Sequence, residues 1–165
     1  MTFAKRLKLY EPLMIIIGLI LLFVVYRMFA RGSFDITEAM IDFMAGFFIV
    51  FGTFKALKLP KFVEAYRMYD VLAAHSNIYA YIYPFIEISL GLAYLFRFEI
   101  VPISWITLCL MAINSIGAWH GARDKRIKMC ACLGTVFKIP MSYVTLGEDV
   151  VMATMAAMVL LANLR

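Results

Sequence analysis

Five long apolar runs constrain this 165-residue chain more than any other feature of it. A helix needs about 20 mostly apolar residues to cross the roughly 30 Å hydrocarbon layer of a bilayer. Runs of that length lie at 12–30, 37–57, 78–96, 101–119 and 146–164. The run at 101–119 carries no charge, and Trp105 and Trp119 stand near its ends, where interfacial aromatics belong. The expected fold is therefore all-α: a single-domain polytopic helical bundle with five transmembrane helices and lipid as its outer solvent. Composition agrees: 64% of residues are hydrophobic and 16% charged, whereas a soluble domain carries about 25% charged residues. The opening basic stretch followed by apolar residues resembles a signal peptide. However, the run to Ala30 is too long for one and lacks a small-x-small cleavage site, so it reads as a retained span.

The formal charge of +5 would raise nucleic-acid binding for a soluble protein, but here the basic residues flank the apolar runs, which excludes that reading. Twelve of the sixteen Lys and Arg fall before span one, at the end of span two (Lys55) and between spans two and three, or between spans four and five; Arg27, Arg31, Arg97 and Arg165 fall on the other side. The positive-inside rule then places the N-terminus and the 120–143 connection in the cytoplasm and the C-terminus outside. Residues 61–74 follow Pro60, with Phe62, Val63, Tyr66, Tyr69 and Ala73 on one side of a helix, and read as an amphipathic helix lying in the interface. Thr145 with Glu148 has capping-box spacing at the start of the last span. Ala153 and Ala157 form a small-xxx-small packing face.

The sharpest chemical signal is Cys130-Ala131-Cys132 in the 120–143 connection. Two thiols two residues apart can work as a redox pair or as a soft-metal clamp. Their disulfide would close a small strained ring, which suits exchange rather than bracing. Arg123, Lys125, Arg126 and Lys128 favour the thiolate, the form that attacks disulfides and binds metal. The same residues also fit a plain surface loop whose basic neighbours set topology. As a metal site the pair is incomplete for zinc, which takes about four ligands. With Met129 and His120 as extra ligands, Cu(I) or another soft ion fits better.

The second signal is Glu87, near the middle of the third span. A mid-bilayer carboxyl is costly and faces the bundle interior or a cavity. With no cation in view it is expected to be neutral. It could transfer a proton, contact a quinone or an ion, or simply hydrogen-bond across helices to Asn114, Ser115 or Ser89. Cys109 lies at similar depth on the neighbouring span, and Pro84 sits one turn before Glu87. Tyr79 and Tyr83 read as interfacial tyrosines, Glu148 and Asp149 as complements to a helix dipole that could also accept thiol protons, and His75 as surface. No P-loop, glycine-rich nucleotide fingerprint, HExxH or nucleophile elbow occurs.

The run Tyr81-Ile-Tyr83-Pro84-Phe85-Ile-Glu87, ending in Gly91 and Tyr94, resembles the third span of the MauE/DoxX-type redox-associated membrane proteins of methylamine utilisation. Cys130-Ala-Cys132-Leu-Gly134, Phe137-Lys138-Ile-Pro140-Met141 and Glu148-Asp149 are similar to small bacterial proteins grouped with them. The likeness covers about Ala39 to Leu164. It implies a bacterial inner-membrane bundle that supports thiol–disulfide chemistry beside a thioredoxin-like partner. In that reading Cys130 and Cys132 exchange electrons and Glu87 handles a proton. Similar CxC proteins serve heavy-metal handling, which would make copper or mercury the cargo and a metallochaperone the partner. A third reading is a structural subunit of a membrane complex.

Overall fold

The computed structural model describes residues 3–68, 70–123 and 143–163. Among these the chain is helical throughout: α1 Phe3–Arg31, α2 Ile36–Leu57, α3 Leu59–Tyr66, α4 Val71–His75, α5 Asn77–Leu95, α6 Ile100–Arg123 and α7 Tyr143–Asn163. Five of these helices are long and apolar enough to span a membrane: Glu11–Arg31 of α1, α2, α5, Ile100–His120 of α6 and Thr145–Asn163 of α7. They alternate in direction. One end of the bundle holds α3, α4 and the departure and return of the 124–142 connection; here it is called the loop end. The α1–α2 and α5–α6 turns form the other, arginine-rich end.

Helix boundaries follow local chemistry. Asp35 caps α2 by accepting from the Thr37 amide at 2.7 Å, and Gly32, at φ 66°, closes α1 in the left-handed conformation that glycine adopts freely. The expected interfacial helix is present in two pieces. Asp70 accepts from the amides of Leu72 and Ala73, starting α4 afresh after a turn. Phe62, Val63, Ala65 and Tyr66 are buried, so α3 closes over the bundle end with its apolar face against α5. At the start of α7 the capping-box expectation is not met. The helix begins at Tyr143, so Thr145 and Glu148 lie inside it.

In lipid, apolar burial gives helices little reason to associate, so close backbone packing and polar contacts must hold the bundle. The α2–α5 seam shows the first. A Cβ added at Gly91 would stand 2.8 Å from the Ile49 backbone nitrogen and 3.1 Å from the Ala45 carbonyl, and one at Gly52 would stand 3.0 Å from the Pro84 carbonyl. On α7, Ala156 is fully buried and Ala153 packs partly against the same core, close to the small-residue face expected there. The Tyr94 hydroxyl ties α5 to α6 through Ser104 at 3.2 Å and Thr107 at 3.0 Å.

Polar contacts also fasten α1. Arg31 grips the fully buried Asp42 of α2 with two hydrogen bonds, at 2.7 and 3.1 Å, and Arg97 adds a third at 2.9 Å. Arg97 reaches Asp42 from a turn in which its own φ is 58° and that of Glu99 is 40°. Non-glycine residues adopt that region at a cost of order 1–3 kcal/mol, which the buried ion pair offsets.

Candidate functional site: a buried ion pair at the loop end

Glu87 lies one turn after Pro84 on α5 and is 2% exposed. It is not alone. Lys55, in the last turn of α2, bends inward, and its Nζ donates to Glu87 Oε1 at 2.5 Å. This corrects the expectation of a carboxyl with no cation. Nor do the residues proposed as neutral partners reach it: Ser89 and Ser115 each donate to a carbonyl one turn back in their own helices. Gly52 allows the pairing. Its missing side chain brings α2 against the α5 backbone at Glu87, where an added Cβ would stand 3.2 Å from the Glu87 Cβ.

An aromatic wall surrounds the ammonium. Lys55 Nζ lies 5.1 Å from the centre of the Tyr83 ring and 5.9 Å from that of Phe62, within cation–π range. Tyr83 is buried, not interfacial. Its hydroxyl accepts from Asn114 Nδ2 at 2.5 Å, and the Tyr66 hydroxyl donates to Asn114 Oδ1 at 3.2 Å. Tyr66, on α3, stacks on Phe62 at 5.0 Å and lies tilted against Tyr83 at 4.7 Å, and Phe62 and Tyr83 stack at 6.1 Å, so the three rings meet in a triangle. The segment between spans two and three thus supplies one wall of the site, and α6 supplies the amide that orients it.

From α7 come Glu148 and Asp149, both within electrostatic reach of Lys55 and Glu87. Asp149 is 8% exposed. Three carboxyl groups therefore share one ammonium among the described residues. Glu87 Oε2 and Glu148 Oε1 are buried with no hydrogen-bond partner there. Such an arrangement suits the holding and release of a proton, since buried polar groups without partners carry a large free-energy cost. At the margin, outside the spans, burial pushes the Asp70 carboxyl above the usual aspartate range, against the amides of Ala73 and Leu72 and the Tyr66 hydroxyl, which pull it down.

Of the residues singled out from the sequence, Glu87, Asn114, Glu148 and Asp149 are brought to this cluster. Cys109 is not: it is exposed on α6, so Glu87, Asn114 and Cys109 do not line one polar path. His120 is exposed near the end of α6, and His75 is exposed with its Nδ1 on the Val71 carbonyl at 2.8 Å. Cys130, Cys132 and Met129 lie outside the described residues. Sequence reasoning missed Lys55 and Tyr66. Lys55 counts from sequence as a topology charge, although a lysine within an apolar run is itself a signal that it pairs with a mid-span acid.

No group of three or more His, Cys, Asp or Glu among the described residues is arranged to hold a metal ion. No curated protein and no solved structure matches the chain. A family model described as methylamine utilisation protein MauE matches residues 33–162, which takes in α2 to α7 and leaves α1 outside. With most of its length matched, and with five helices long and apolar enough to cross a membrane, this chain belongs to the MauE family of membrane proteins.

Proposed function

We propose that this protein supports thiol–disulfide exchange through Cys130 and Cys132, and that the Lys55–Glu87–Asp149 cluster manages the protons of that exchange. The observation that carries the reading is position. The cluster joins α2 and α5 at the loop end, and Glu148 and Asp149 lie near the start of α7, the helix that follows the 124–142 connection. The lysine-rich flanks support a cytoplasmic position for this end by the positive-inside rule.

In the exchange, one cysteine thiolate attacks a disulfide of a thioredoxin-like partner. A mixed disulfide forms and one partner thiolate leaves. The second cysteine then attacks the mixed disulfide, closing the Cys130–Cys132 bond and releasing the other partner thiolate. Two electrons pass from the CxC pair to the partner. The two protons given up by the CxC thiols are matched by two taken up by the partner's thiols, and the reverse reaction runs through the same steps. A carboxyl group held against a lysine provides a local place for those protons.

The test is to replace Cys132 with Ser and look for a partner trapped as a mixed disulfide on Cys130, resolved on a non-reducing gel and identified by mass spectrometry. A trapped protein bearing its own CxxC pair supports the reading. Full function of the Cys130→Ser, Cys132→Ser double variant in cells would refute it.

A further inference from the structure

We infer that the arginine-rich end, together with the groove below it, is a binding site for one glycerophospholipid, with its phosphate on Arg27 and Arg97 and one acyl chain between α1 and α2. This stands apart from the thiol reading, lies at the opposite end of the bundle, and depends on α1, which the family match does not include.

Two independent features meet here. The first is a groove of about 440 Å³ between α1, α2 and the end of α5, lined by apolar side chains and Gly46. Ile16 and Phe54 line its deep part, and Phe23, Gly46 and Leu95 line the part nearest the arginines. Gly46 to Phe54 is eight residues of α2, or about 12 Å of helix, which suits an extended hydrocarbon chain. The groove opens to the outside of the bundle: Leu19 on its rim is 61% exposed.

The second feature is charge. Arg27, Arg31 and Arg97 gather around Asp42 and Glu38, three guanidiniums to two carboxylates, leaving the cluster one positive charge. Asp35 and Glu99 stand at the same end but form no ion pair with these arginines among the described residues; Asp35 is committed to capping α2. Arg27 is the least committed of the three. It touches Asp42 at 3.4 Å, against 2.7 Å for Arg31 and 2.9 Å for Arg97. Arg27 Nε and Arg97 Nη1 are buried without an acceptor among the described residues, while the two side chains as a whole are 30% and 24% exposed. The two features join physically: the Arg27 guanidinium lies 5.9 Å from the centre of the Phe23 ring, which lines the groove, and Leu95 precedes Arg97 by two residues. A ligand with an apolar tail and a phosphate at one end matches both, and a membrane supplies it at this depth. Guanidinium recognises phosphate oxygens through paired N–H donors.

The experiment is native mass spectrometry of the full chain released from detergent, titrated with dioleoyl phosphatidylglycerol or with dioleoylglycerol, which has the same chains and no phosphate. Inorganic phosphate is titrated separately. The expected result is one phospholipid bound about tenfold more tightly than dioleoylglycerol. Arg27→Gln should lose most of that difference, and Leu19→Trp, which adds bulk at the exposed rim, should weaken phospholipid binding without abolishing the fold. Equal binding of dioleoylglycerol overturns the phosphate contact. Saturation by inorganic phosphate, with Leu19→Trp inert, overturns the lipid in favour of a free anion. If Arg27→Gln does not fold, the headgroup comparison on the parent chain and the Leu19→Trp variant still decide.

Discussion

Removing the Lys55 ammonium should expose how much the bundle depends on a single buried pair. The Nζ–Oε1 distance is 2.5 Å, and the side chains of Lys55 and Glu87 are 10% and 3% exposed. At an effective dielectric constant of about 20, two unit charges at that distance attract by roughly 6–7 kcal/mol. Much of this offsets the loss of hydration, so the net contribution of the pair is far smaller. Breaking it from one side is a different matter. Lys55→Met keeps most of the stem volume and strands the Glu87 carboxylate, a change that costs about 3–5 kcal/mol in buried pairs. Glu87→Gln should cost less, because the carboxyl groups of Glu148 and Asp149 remain within electrostatic reach of Lys55. The Lys55→Met, Glu87→Gln double variant should recover part of the loss, with a coupling of about 1.5 kcal/mol or more. Equilibrium unfolding in mixed micelles of mild detergent and dodecyl sulfate reads all four proteins. If Lys55→Met lies within about 0.5 kcal/mol of the parent and the double variant is additive, the pair is not a buried interaction and the reasoning fails.

Other consequences follow from the same structure. Gly91→Ala should destabilise by about 1–3 kcal/mol, because its Cβ meets backbone on α2; Gly46→Ala should cost less, because its Cβ meets the movable Ile20 side chain, and thermal unfolding separates the two. Tyr83→Phe removes the acceptor for the Asn114 amide and should cost about 1–2 kcal/mol by the same assay. Asp70 gives a pH signature. Burial holds its carboxyl above the usual range, so the folded chain keeps that proton more tightly than the unfolded chain does. Its contribution is fully present below the ordinary aspartate pKa and is lost as pH rises through the raised one. Asp70→Asn should flatten that decline while retaining the cap, whereas Asp70→Ala should lose about 1 kcal/mol across the whole range.

The membrane-spanning helices could be read from sequence because lipid imposes a length and an apolar composition that few other folds need, and the observed ends agree with the expected ones within a residue. Glu87 could also be read, because an acid in mid-span is too costly to be idle. Its partner could not. Lys55 lies 32 residues earlier on another helix and looked like one more basic residue at a membrane boundary. The role of Tyr83 was misjudged for a related reason: α3 folds over the bundle end and buries a side chain that would otherwise face the interface. The division of the interfacial helix turned on Asp70, whose cap competes with a continuous helix, a contest that helical periodicity does not register. The alanine spacing on α7 points to a small-residue seam there, yet close backbone approach occurs at Gly52 and Gly91 between α2 and α5, because glycine permits contact that alanine does not.

The central claim concerns Cys130 and Cys132, and a redox titration tests it most directly. The purified protein is equilibrated with glutathione or dithiothreitol buffers across a range of potential, its free thiols are alkylated, and each cysteine is counted by mass spectrometry, with and without Cu(I). The expected result is both thiols lost and regained together, in one two-electron transition, with Cys109 alkylated throughout. Thiols that stay reduced at every potential and are protected by one equivalent of Cu(I) would contradict it and assign the pair to soft-metal handling.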